Sequence, residues 1–195
     1  MTSVDGLTTR TSFKTKLIIT IILGLIATGI IRLFSSNYSI VFGHQQCLEG
    51  KVWLVKKKVT PSKGDYICLK GTHVPLYEKI KLVKLVKGIE GDLVRVVPDM
   101  SGTTMKVMIN NMPIHLKVRA RVQLVDSKNS NEIIAEYPVF EKGISGKELP
   151  FVLGYGTTVI KNGYFVAGTH PASYDSRYWG IVDKKDVIGK AVLIF

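Results

Sequence analysis

One uncharged apolar run, Leu17 to Ile31 (LIITIILGLIATGII), limits this 195-residue chain more than anything else in it; Arg32, Leu33 and Phe34 follow. With its flanks it reaches about 18 residues, the lower end of what crosses a bilayer as a helix rising about 1.5 Å per residue. Arg10, Lys14 and Lys16 precede it, and Asp5 is the one acid before it. A positive flank holds its own side in the cytoplasm. The expectation is therefore a cytoplasmic N-terminus over 1–16, a transmembrane anchor over 17–34 and an exported domain over 35–195. A cleaved signal peptide is the rival, with Ala27-Thr28-Gly29 as a small-x-small site. Apolar residues continue past that site to Phe34, and the run is long for a leader, so a retained anchor is favoured.

Downstream of the anchor no helical period is evident. Short β-rich runs recur instead: Val52–Val55, Tyr66–Leu69, Leu93–Val97, Lys106–Ile109, Lys117–Leu124, Phe151–Ile160, Tyr164–Ala167 and Ala191–Phe195. Turn residues separate them, as in Lys63-Gly64-Asp65, Gly88-Ile89-Glu90-Gly91-Asp92, Asn110-Asn111 and Lys161-Asn162-Gly163. Many short strands of this kind predict an all-β domain of antiparallel sheets or a barrel. Asp126–Asn131 reads as a polar loop, and about 113–150 as an inserted hairpin region beside the main sheet.

Composition removes several functions. Lys and Arg number 27 against 15 Asp and Glu, a net charge of +12. Many of the cations alternate with apolar residues, as in Lys117-Val118-Arg119-Ala120-Arg121-Val122, which places them on the wet face of a strand. Lipid headgroups are the best use of the excess. Without an aromatic–basic platform, nucleic acid is not an expected partner. Two cysteines and four scattered histidines give neither a four-cysteine zinc site nor HExxH spacing, so no metal is expected. No phosphate-binding glycine motif is present.

Four blocks carry chemistry. The first is Cys47-Leu48-Glu49-Gly50-Lys51-Val52-Trp53-Leu54-Val55. The second is Lys63-Gly64-Asp65-Tyr66-Ile67. The third is Lys84-Leu85-Val86-Lys87-Gly88-Ile89-Glu90-Gly91-Asp92-Leu93-Val94. The fourth is Gly168-Thr169-His170-Pro171-Ala172-Ser173-Tyr174-Asp175-Ser176-Arg177-Tyr178-Trp179-Gly180, followed by Ile188-Gly189-Lys190-Ala191. In this order they resemble the type I signal peptidase superfamily, and within it the short peptidases of conjugative transfer systems that mature pilin. The resemblance covers Cys47 to Phe195. Ser-x-Asp-Ser-Arg-Tyr-Trp-Gly is its most specific element.

The resemblance implies a signal-peptidase-like all-β fold with one N-terminal transmembrane helix. It implies a nucleophile shortly after the anchor and a lysine general base, with no cofactor. The matching lysine is Lys84. The position of the family's serine holds Cys47. Ser173 matches the serine that hydrogen-bonds the lysine, and Asp175 and Arg177 match the pair that braces the site. Gln45, two residues before Cys47, stands where a hydroxyl residue often serves the oxyanion hole, and its amide is a substitute donor beside the Cys47 N–H. Glu49 replaces the usual proline of that stretch, and Gly168-Thr169-His170-Pro171 replaces the family's Gly-Asp-Asn.

These roles are chemically coherent. A lysine is a base only when neutral, which requires burial among apolar neighbours. Leu82, Val83, Leu85 and Val86 surround Lys84, although Lys81 and Lys87 also allow a solvated strand lysine. A cysteine thiol is a competent nucleophile beside a lysine. Its thioester can pass to water or to an amine, so cleavage and ring closure are both open. Blander alternatives remain beside these. Cys47 and Cys68 would form a disulfide in an oxidising compartment. Asp175 with Arg177 would be a structural ion pair. Tyr178, Trp179 and Trp53 would be core residues. His170 reads as a turn residue, with a role as partner of Cys47 the alternative.

The expected function is a membrane-anchored peptidase of the inner (cytoplasmic) membrane with its catalytic domain in the periplasm. It would cleave, and in one version cyclise, an exported precursor such as conjugative pilin. The expected partners are that precursor, membrane lipid and other transfer-apparatus proteins. The competing function is a non-catalytic scaffold of the same fold within such an apparatus.

Overall fold

The computed structural model describes residues 12–42, 52–75, 80–126, 128–129 and 132–195. The chain divides into two units, Met1–Tyr38 and Ser39–Phe195. The first contains helix α1, Phe13–Asn37, of 25 residues. Its apolar side chains are distributed all round, and none of its residues is buried. A helix apolar on every side suits lipid or a protein core, not water. By length and composition it can cross a membrane. At about 1.5 Å per residue it measures roughly 37 Å, more than a hydrocarbon core of about 30 Å. Its hydroxyls bond back inside the helix, Thr20 to the Lys16 carbonyl at 3.0 Å and Thr28 to the Gly24 carbonyl at 2.8 Å. Such back-bonding leaves neither threonine hydroxyl unmatched in an apolar medium.

The second unit is β. Its strands are β1 (Tyr38–Phe42), β2 (Val52–Lys57), β3 (Tyr66–Lys70), β4 (Lys81–Gly88), β5 (Leu93–Pro98), β6 (Thr104–Ile109), β7 (Met112–Val125), β8 (Ile133–Phe140), β9 (Gly156–Val159), β10 (Gly163–Ala167), β11 (Val182–Asp183) and β12 (Val187–Leu193). One short helix, α2 (Ser176–Trp179), interrupts them, with 3-10 turns at Gly71–His73 and Lys184–Asp186. A seven-stranded sheet runs β1-β2-β12-β3-β4-β10-β11, and a five-stranded sheet has the path β6-β7-β5-β9 with β8 also on β7. Every ladder with a described register is antiparallel. This is the all-β arrangement that the run of short strands predicts.

The pattern of each strand explains its burial. In β7, Leu116, Val118, Ala120, Val122 and Leu124 are buried while Lys117 is exposed and Arg119, Arg121 and Gln123 are half-buried. The period of two sends alternate residues to opposite faces. The turn to β7 uses Asn110 and Asn111, both at positive φ (48° and 63°), which gives the twist that hairpin strands need. The region 113–150 holds most of β7, all of β8 and a bridge between Lys142 and Glu148.

The main core joins the two sheets. Ile67, Leu82, Val86 and Phe165 of the larger sheet meet Val94, Val96, Val122 and Leu124 of the smaller. On the other side of the larger sheet, Val41, Trp53, Val55, Cys68, Val83 and Ala191 form a second cluster. A third, Val107, Leu116, Val118 and Phe140, lies under the β6–β7 ribbon.

Both Gly-Asp motifs lock turns. Asp65 Oδ2 accepts from the Ser62 N–H at 2.9 Å, and its Oδ1 lies 2.7 Å from Lys190 Nζ. The Lys190 hydrogen bond holds the Asp65 carboxyl below its usual range. Buried Asp92 accepts from the Ile89 N–H at 2.9 Å and from Lys63 Nζ at 2.9 Å. Gly91, at φ 96°, supplies the left-handed step of this turn between β4 and β5.

Candidate active site

Strand β4 brings Lys84 to the centre of the β unit. Lys84 is 1% exposed and shares its side of the strand with Leu82 and Val86, which belong to the main core. Val83 points the other way, into the cluster that holds Cys68. Lys81, three residues earlier, is exposed. Alternation puts Lys84 and Lys81 on opposite faces of β4, and the packing of the two sheets over the Leu82 and Val86 face buries Lys84.

Strand β10 lies beside β4, with Val166 opposite Val86 and Ala167 opposite Leu85. The chain then leaves the sheet and turns back, which carries Ser173 to Lys84. Lys84 Nζ donates to Ser173 Oγ at 3.1 Å, and both side chains are buried. The two residues stand 89 positions apart.

The segment after Ser173 is braced by a buried ion pair. Arg177 donates through Nε to Asp175 Oδ1 at 2.7 Å and through Nη2 to Oδ2 at 2.7 Å. This fork geometry is the strong form of an arginine–carboxylate pair. Arg177 also donates to the carbonyls of Pro171 (2.6 Å), Ser173 (2.8 Å) and Pro138 (3.2 Å). Asp175 Oδ2 accepts from the Gly168 N–H at 2.9 Å, and Oδ1 from the Arg177 N–H at 3.2 Å, which starts α2. Burial pushes the Asp175 carboxyl up. The charge and hydrogen bonds of Arg177, with the Lys84 charge and the Gly168 N–H, outweigh that and hold it below the usual range. Burial in turn lowers Arg177, but Asp175 more than offsets it and leaves the guanidinium raised.

Two further bonds fasten this segment to the sheets. Ser176 Oγ accepts from the Val166 N–H of β10 at 3.1 Å, and the Tyr178 hydroxyl accepts from the Phe140 N–H of β8 at 3.0 Å. The sequence does not single out either residue as an anchor. Tyr178, Trp179 and Trp53 are all buried, as expected of core residues.

The structure therefore gathers Lys84, Ser173, Asp175 and Arg177. Cys47 and Gln45 lie outside the described residues. Cys68 is a free, buried thiol, and burial pushes its pKa up to about 11, with Lys81 pulling weakly the other way. Among the described residues no cluster of His, Cys, Asp or Glu could hold a metal ion.

A β domain with a buried lysine on a serine, preceded by one helix able to cross a membrane, defines the class as a signal-peptidase-like protein. The family described as "Signal peptidase, peptidase S26" matches residues 12–195, and the chain belongs to it. A protein named "Signal peptidase I" from Buchnera aphidicola subsp. Baizongia pistaciae (strain Bp) is 30% identical over 175 residues, covering 70% of this chain and 56% of that protein. The chain thus spans a little over half the length of this curated relative.

Proposed function

We propose that this protein is a membrane-anchored signal peptidase that cuts an exported precursor with Cys47 as nucleophile and Lys84 as general base. The observation that carries the proposal is Lys84 itself, 1% exposed and hydrogen-bonded to Ser173 Oγ at 3.1 Å. Lysines are rarely buried, and a buried one in a polar contact is a candidate base. Membership of the signal peptidase family supports an exported precursor as substrate.

In this scheme Lys84 takes the Cys47 thiol proton and Sγ attacks the scissile carbonyl carbon. The oxyanion rests on the Cys47 N–H and the Gln45 amide. The proton passes from Lys84 to the leaving amine, and a thioester remains. Water releases the acid. Alternatively, the free amine at the N-terminus of the acylated fragment attacks the thioester carbon, the C–S bond breaks, and the amine's proton returns to the Cys47 sulfur as the ring closes. Ser173 orients the lysine, and the Asp175–Arg177 pair holds the wall that carries Ser173. The β10 ladder on β4 begins at Leu85, so residues 82–84 have no ladder on that side among the described residues. An extended peptide can add there as a strand and present its carbonyl to Lys84. A free Cys68 supports a role for Cys47 outside a disulfide.

The proposal extends to placement. Residues 1–16 are cytoplasmic, 17–34 span the inner membrane, and 35–195 form the periplasmic peptidase domain. The substrate we propose is a small exported protein such as conjugative pilin, delivered where the anchor holds the site, with other transfer-apparatus proteins nearby.

The test is to replace Cys47 by Ala and Lys84 by Ala in the host and compare membrane and surface proteins by intact mass. One exported protein should accumulate as a longer precursor in both variants. A mature product one water lighter than its linear form marks ring closure. Wild-type processing by either variant overturns the dyad, and wild-type processing by both favours a non-catalytic scaffold.

A further inference from the structure

The stretch Gly168-Thr169-His170-Pro171 holds a side chain with two partners. His170 Nδ1 accepts from the Ala172 N–H at 3.1 Å. His170 Nε2 lies 3.1 Å from the carbonyl oxygen of Met108. A neutral imidazole has one acceptor and one donor. An N–H facing Nδ1 and a carbonyl facing Nε2 assign the proton to Nε2.

Met108 belongs to β6, an edge strand of the five-stranded sheet and 62 positions away in sequence. The His170 carbonyl accepts from the Ser173 N–H at 3.0 Å, so backbone and ring of one residue organise the same turn. Ala172, inside that turn, packs against the cluster of Val107, Leu116, Val118 and Phe140 beneath the β6–β7 ribbon. Polar and apolar contacts therefore tie segment 170–173 to the ribbon. Ser173 ends that segment, and its Oγ meets Lys84 Nζ.

We infer that His170 is a positioning residue for the proposed peptidase site: it clasps the turn to the β6–β7 ribbon and so fixes Ser173 Oγ on Lys84. The inference rests on the assignment of Lys84 as base. His170 acts on Lys84 through Ser173, in a turn whose His170, Pro171 and Ser173 carbonyls also accept from Arg177. A small displacement of an orienting group lowers turnover far more than substrate binding.

The two halves of the clasp can be separated. His170→Asn keeps an oxygen near the place of Nδ1 and loses the reach to Met108. His170→Gln keeps a donor near the place of Nε2 and loses the acceptor for Ala172. His170→Ala loses both. The substrate is the precursor that accumulates with Lys84→Ala, used with purified full-length protein in detergent. With His170→Ala, kcat should fall about tenfold or more while KM stays within about twofold. Amide exchange at Ala172 and Ser173 should quicken about fivefold or more. Asn should restore protection at Ala172, and Asn and Gln should each recover part of kcat. A His170→Ala kcat within about twofold of wild type, while Lys84→Ala is inactive, overturns the clasp alone. Equal losses in Ala, Asn and Gln together with a lowered melting temperature also overturn it, because that is fold damage. Wild-type processing by Lys84→Ala overturns the site itself, and the role of His170 with it.

Discussion

At the scale of single residues, two buried groups have measurable consequences. Asp175 and Arg177 are 0% and 1% exposed and pair through a fork. Removing one partner strands the other charge, so Asp175→Asn should cost about 3–5 kcal/mol in urea unfolding. The depressed Asp175 pKa also sets a sign with pH. Its contribution is present above the unfolded value, near 3.8, and is lost as pH falls through the folded value. Wild-type stability should therefore drop in the acid limb below about pH 4, and Asp175→Asn should show a shallower drop there. Cys68 behaves oppositely. With its thiol buried and pushed up to about 11, it should resist iodoacetamide near neutral pH in the folded Cys47→Ala protein and react fully in guanidinium. The roles of these residues differ in how far the sequence reveals them. Ser-x-Asp-Ser-Arg announces the pair, because two residues apart on one short segment suffice to define it. Ser176 and Tyr178 carry no such mark, since their partners are main-chain groups of β10 and β8.

At the scale of elements, the strands with clean alternation are legible and those that depend on neighbours are not. Lys117–Leu124 reads as a strand and forms the inner part of β7. The run Phe151–Ile160 reads as one strand, yet only Gly156–Val159 pairs as β9, because the N–H groups of Val152 and Leu153 turn to the Tyr178 carbonyl. Neither β1 nor β8 stands out as a run in the sequence, and α2 is too short for any period to reveal. In β12 the register shifts between Val187 and Gly189, where a Cβ on Gly189 would lie 2.2 Å from the Lys56 carbonyl oxygen of β2. Gly189→Ala must push backbone against backbone and should lower stability by about 1–3 kcal/mol, seen as a shifted urea midpoint. Helix α1 is the element that the sequence defines best. Leu23→Arg at its middle should cost about 2.5–3.5 kcal/mol of insertion and raise the carbonate-extractable fraction of the protein.

At the scale of the whole molecule, the Ser39–Phe195 unit has one main core built from both sheets. Neither sheet can keep its buried face dry without the other, so this unit should unfold in one step. Tryptophan fluorescence reports Trp53 in the second cluster and Trp179 in the main core. Its denaturation curve should coincide with that of far-UV circular dichroism in urea, and separate midpoints would show that the clusters melt independently. The same joint core makes the site possible. β4 and β10 are neighbours in the larger sheet, while Phe140 and Met108, which hold the returning segment, belong to the smaller.

Residue order alone was enough for the apolar helix, the β character of the rest and the succession of four blocks that identifies the family. These follow from local physics: hydropathy, a period of two and turn residues act over a few positions. Three-dimensional packing was needed to bury Lys84 and not Lys81, to bring Ser173 to it across 89 residues, and to let His170 reach an edge strand. Each of those depends on which strands become neighbours, and strand pairing is fixed by the packing of two sheets over a common core.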